Sequence, residues 1–140
     1  MPTILLAEND LEQAKLYSLS LQKTGFQVIH VTNASELEKI INKQKIDIIL
    51  SDTELDESNG DEICKKLLEE EKLNDVLIIG MSNALDYGDY WISIAHEFLY
   101  KRAISEFYDL GCFVRALYER FKINHKIIRY KENLLRNRFQ

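Results

Sequence analysis

The chain has 140 residues, 46% hydrophobic and 29% charged, enough apolar material for one cored domain and the wrong composition for a disordered chain. No apolar run approaches the roughly 18 residues of a membrane span, and Cys64 and Cys112 are too few for a disulfide framework or a zinc site. Net charge is −5 but uneven: from Glu119 onward seven basic residues face Glu119 and Glu132, a net of +5, which leaves −10 on residues 1–118. Such a body is a poor nucleic-acid binder and a reasonable cation binder. The start lacks a basic stretch followed by an apolar one, so a reducing cytoplasm is the expected location.

Residues 4–7 form a short apolar run that stops at Glu8-Asn9-Asp10, which predicts a strand buried on both faces. Leu11, Ala14, Leu16, Leu19 and Leu21 then predict a helix over 11–24, capped by Asp10 with Gln13 as reciprocal partner. Residues 26–31 predict a second strand, and Ser35 with Glu38 reads as a capping box opening a second helix. Residues 46–51 predict a third strand ending at Asp52, and 62–71 a third helix. Residues 76–81 predict a fourth strand ending at Ser82, and 98–100 a fifth ending at Lys101. Between these two strands, Tyr87, Tyr90, Trp91 and Ile94 suggest a short helix, its aromatics serving either as core or as an exposed recognition patch. A last helix is expected from near Ser105.

Five strand–helix repeats with short connections predict an α/β fold: a doubly wound (βα)5 parallel sheet, strand order 2-1-3-4-5, with helices on both faces. Glu8, Asn9, Asp52, Ser82 and Lys101 all fall at carboxyl ends of strands, where open parallel sheets bind ligands. Carboxyl and amide oxygens there suit a hard cation such as Mg²⁺. An aspartate beside such an ion can attack a phosphoryl group, with a lysine and a hydroxyl near enough to hold its oxygens.

These residues resemble the receiver domain of two-component response regulators, over roughly residues 3–121. The most specific part is the run 46–52 ending in Asp52, with Gly60 eight positions on. The resemblance implies a flavodoxin-like fold and a signalling module rather than an enzyme. It also implies phosphorylation at Asp52 by a histidine kinase or phosphotransfer protein. It makes Glu8, Asn9, Asp52 and the backbone carbonyl of Glu54 the Mg²⁺ site, and Ser82, Lys101 and Phe98 the switch residues. Several positions depart from the family. Asn9 stands where a second acid is usual, which predicts weaker Mg²⁺ binding. Asp56 and Arg102 stand where prolines are usual, and the stretch between Ser82 and Lys101 is about three residues short, so the fourth helix is expected to be reduced. These departures keep a second reading open, a pseudo-receiver that ignores phosphate and acts as a protein-interaction or dimerisation module. A nucleotide-dependent enzyme is disfavoured because no glycine-rich turn follows the first strand.

Asp56 and Glu57 read as solvated loop acids, and His30, His96 and His125 have no metal-ligand spacing. Both cysteines read as small core residues on helices. The segment 116–138 has neither proline nor glycine. Ile123, Ile127, Tyr130 and Leu134 recur at heptad spacing, and Phe121, Ile128, Leu135 and Phe139 form a second stripe. This divides the chain into a receiver at 1–121 and a helical extension at 122–140. The extension predicts one helix running past Phe121 at least to Leu134, and a homodimer formed through it. No membrane contact is expected, and nucleic-acid binding is disfavoured.

Overall fold

The computed structural model describes residues 1–107 and 109–138, apart from the side chains of 105–107. Phe139 of the second stripe lies outside them. In chain order the elements are β1 (Thr3–Ala7), α1 (Leu11–Lys23), β2 (Gln27–Val31), α2 (Ala34–Lys43), β3 (Ile48–Asp52) and α3 (Gly60–Glu69). Then follow β4 (Leu77–Ser82), a 3₁₀ helix at Leu85–Trp91, β5 (Glu97–Tyr100), α4 (Lys101–Phe107) and α5 (Leu110–Arg138). The sheet is parallel throughout, in the order 2-1-3-4-5 expected from the sequence.

The apolar strands are explained by their two buried faces. Side chains alternate along a strand, so Ile4 and Leu6 of β1 enter the layer beneath α1 and α5, with Leu21, Leu50, Ile79 and Val114. Leu5 and Ala7 enter the opposite layer beneath α2 and α3, with Leu37, Ile49, Leu67, Ile78 and Trp91. Each such aliphatic side chain stabilises the fold by roughly 1.5–3 kcal/mol. In register, Ala7 pairs with Ser51, Asp52 with Met81 and Ser82 with Tyr100, which lines up the polar strand ends.

Several local expectations are corrected. The cap of α2 is Asn33, whose side chain accepts from the Glu36 N–H, while Glu36 accepts from Thr32 N–H. Ser35 instead donates to Glu57, and Glu38 pairs with Lys66 across to α3. The stretch after β4 holds only a 3₁₀ helix, the reduced element its short length suggested. No single helix opens near Ser105: α4 already starts at Lys101, and α5 starts at Leu110. A proline after Lys101 would have biased that residue away from helical geometry; Arg102 does not. Asp109 caps α5, accepting from Cys112 N–H and from the Ser20 hydroxyl of α1, and these bonds hold its carboxyl below the usual range. Leu110, Val114 and Leu117 face inward, which turns Cys112 outward; it is exposed, whereas Cys64 is buried. The helix continues unbroken to Arg138, and from 116 onward it holds neither proline nor glycine to stop it.

Candidate functional site

Asp52 closes β3 and is nearly buried. Its Oδ1 accepts the N–H of Thr53 at 2.9 Å and its Oδ2 accepts from Lys101 Nζ at 3.0 Å. Gly60 passes so close to this strand end that a Cβ there would overlap the Asp52 carbonyl and the Ser51 hydroxyl. That approach explains the fixed spacing from Asp52 to Gly60.

Lys101 is the hub. Its ammonium, 5% exposed, also donates to both carboxylate oxygens of Glu8, at 2.8 and 3.1 Å, and to Gln13 Oε1 at 3.3 Å. Glu8 is wholly buried. Burial pushes its carboxyl well above the usual range and the neighbouring Asp52 pushes further, against the pull of Lys101. Burial likewise raises the Tyr17 phenol to about 12, with help from Glu8 and Asp52. One buried cation thus holds two carboxylates together across three strand ends.

The cleft above this cluster is lined by Asn9, Asp10, Gln13, Asp52, Glu54, Ser82, Asn83, Ala84, Tyr87 and Lys101. Asn9, Asp52, Glu54, Ser82 and Lys101 therefore converge on the cleft, whereas Glu8, expected among the metal ligands, lies wholly buried beneath it and is engaged by Lys101. Phe98 does not line the cleft; it is half-buried in the layer that holds Trp91, its ring against Gly88. Ser82 Oγ accepts from the Ala84 N–H at 3.0 Å. The oxygen-bearing residues that line the cleft include the acids Asp52 and Glu54 and the amide of Asn9. That set fits a hydrated hard cation and would suit a soft metal poorly.

Three supporting residues escaped the sequence reading. Gln13 was assigned to the α1 cap, but Asp10 alone takes the N–H groups of Glu12 and Gln13, leaving the Gln13 side chain for Lys101. Tyr87 donates its hydroxyl to the Glu54 carboxylate, tying the loop after β3 to the 3₁₀ helix. Trp91, 1% exposed, donates to Thr53 Oγ1 at 2.8 Å, and Thr53 in turn donates to the Met81 carbonyl. A Cβ on Gly80 would overlap the Trp91 ring, so that glycine makes the indole's place. Tyr87 and Trp91 had a signal in the sequence, as two of three aromatics whose fate was open.

Comparison with known proteins points the same way. The curated transcriptional regulatory protein GlrR of Escherichia coli is 32% identical over 57 residues, 41% of this chain. The chain thus spans only a minor part of that relative, since the match covers 13% of it. The receiver domain of Francisella response regulator 1452 superposes with a TM-score of 0.74 at 22% identity, covering 86% of this chain and 98% of that one. Response regulator TrrA of Thermotoga maritima, solved in complex with Mg²⁺-BeF, gives 0.65 at 23% identity, covering 71% and 85%. No described helix is long and apolar enough to cross a membrane. The family model for the response regulator receiver domain matches residues 4–106, most of the chain, and the chain belongs to that family.

Proposed function

We propose that Asp52 accepts a phosphoryl group from the phosphohistidine of a kinase or phosphotransfer protein, and that the change is read by another protein surface. The supporting observation is the convergence of Asp52, Lys101, Ser82 and the oxygen donors of Asn9 and Glu54 in one open cleft. An Asp52 carboxylate oxygen attacks phosphorus, the P–N bond breaks, and its electron pair returns to the histidine ring. Bound Mg²⁺ would offset the repulsion between the phosphoryl oxygens and the acidic cleft, held by Asp52, Asn9 and the Glu54 carbonyl. Lys101 pairs with the new phosphoryl oxygens. Ser82, whose oxygen already accepts from Ala84, keeps its own hydrogen to donate to them. That inward pull on the loop after β4 works against the Tyr87–Glu54 tie and repacks Phe98. The chain catalyses at most its own modification and is not otherwise an enzyme.

Asn9 supplies an oxygen without a charge, so Mg²⁺ binding is weaker than a second aspartate would give. The extension 122–140 is a separate working part and joins two copies into a homodimer. Intact-mass spectrometry after incubation with acetyl phosphate and Mg²⁺ tests the central claim. We expect one added phosphoryl group on the wild type, none on Asp52→Asn, and faster labelling of Asn9→Asp at limiting Mg²⁺. A wild type and an Asn9→Asp chain that both stay unlabelled overturn the proposal.

A further inference from the structure

The dimer just proposed leaves open what covers the C-terminal helix. Ile123, Ile127, Tyr130 and Leu134 are each about half exposed or more, from 47% to 65%. Their heptad spacing suggests a seam between two such helices, but the flanking residues oppose it. Asn124, Lys126, Lys131, Asn133 and Arg138 border the seam, three cations and no anion. In coiled coils such bordering positions choose the partner through opposite charges. Two of these helices side by side offer no anion to these cations, and a parallel pair sets Lys126 against Lys131 of its neighbour. Glu132, the single acid within 122–138, lies on the far side of the helix from the seam.

A surface of opposite character lies on the body. Residues 83–93 contain no lysine or arginine, and carry Asp86 and Asp89. Within them the 3₁₀ helix and the residue after it expose Leu85 at 67%, Tyr90 at 52% and Ile92 at 76%. Asp86 and Asp89 are exposed among them. This face is apolar and anionic where the C-terminal helix is apolar and cationic.

The helix cannot serve its own body in this way. Phe121 and His125 stack, the His125 ring approaches the Asn74 carbonyl, and Arg129 pairs with Asp75 at 2.6 Å. These contacts hold the first turns beyond the body against the loop before β4. The helix is continuous, so residues 130–138 project onward, about 14 Å at 1.5 Å per residue.

We infer that residues 122–138 of one copy dock on the Leu85–Ile92 face of a second copy, and reciprocally, so that the dimer is an exchange of helices onto bodies. This rests on the homodimer in the preceding reading. Like charges placed face to face at an interface suppress association, and complementary ones restore it. The reversal can therefore be made on either side. Asp86→Lys/Asp89→Lys changes the body face, and Lys126→Glu/Lys131→Glu changes the helix; all four side chains are exposed. Sedimentation velocity at micromolar concentration, with circular dichroism to verify folding, reads the outcome. We expect a wild-type dimer, a monomer for each double variant alone, and a dimer regained both in the equimolar mixture and in the chain carrying all four changes. A dimer of Asp86→Lys/Asp89→Lys alone would place the contact between two C-terminal helices and overturn the exchange while keeping the dimer. A mixture that stays monomeric also overturns it. A monomeric wild type overturns the dimer and the exchange together, and its co-sedimentation with phosphatidylserine vesicles would assign the helix to an anionic lipid surface.

Discussion

At the carboxyl end of the sheet, Lys101, Glu8 and Asp52 meet with almost no exposed surface; at the amino end, Arg129 and Asp75 meet with both side chains about two-thirds exposed. The two pairings have similar lengths and different meanings. Water already satisfies the outer pair, so its attraction is screened and its loss is small. The inner three have given up their water, so each depends on the others. The second kind suits a site proposed to receive a dianion, because a new charge there cannot be ignored. A contact that only steers a helix is built from the first.

The sharpest way to break this contrast is Lys101→Met, which leaves Glu8 and Asp52 facing each other without a cation. We expect a loss of about 3 kcal/mol in urea denaturation, partly recovered by adding Glu8→Gln. A loss no larger than that of a surface substitution would show that the inner cluster is as screened as the outer pair. Next comes Trp91→Phe, which removes the donor to Thr53 Oγ1 in a buried position. About 1–3 kcal/mol should be lost, and the Asp52 end of β3 should exchange its amide hydrogens faster.

The third test uses pH. Burial holds the His96 imidazole below its usual range, and its Nδ1 accepts the Ile78 N–H, which requires an unprotonated ring nitrogen. The unfolded chain takes up that proton first. The His96 contribution to stability is therefore complete above roughly pH 6.5, the ordinary imidazole value, and is lost as pH falls through the lower value of the folded state. Wild type minus His96→Gln should show this downward slope on acidification, and identical profiles would remove His96 from the account. The smallest effect belongs to Arg129→Ala. Stability should change by only a few tenths of a kcal/mol, while hydrogen exchange over 122–132 rises. A large stability loss would mean that the outer pair is part of the core after all.

The sheet and its strand ends were legible because apolar runs stop abruptly at Glu8, Asp52, Ser82 and Lys101, and parallel topology then forces those ends together. The caps were less legible. Asn33 with Glu36 and Ser35 with Glu38 have the same spacing, and only the rest of the fold shows that Glu38 is wanted by Lys66 and Ser35 by Glu57. Gln13 was misassigned for a similar reason: a local role was visible, while the demand of a buried ammonium 88 residues away was not. The tie from Tyr87 to Glu54 spans 33 residues and leaves no trace in spacing. The start of α4 at Lys101 followed from a residue that was noticed, Arg102, but read only as a missing proline.

Trp91 is the chain's single tryptophan. Its indole is hydrogen-bonded to Thr53, the residue directly after the proposed acceptor, and packed against Gly80 two residues before Ser82. Its emission is therefore an unlabelled optical reporter on both strands that flank the cleft. A beryllofluoride titration followed at that single wavelength band would give the occupancy of Asp52 and the response of its surroundings in one trace.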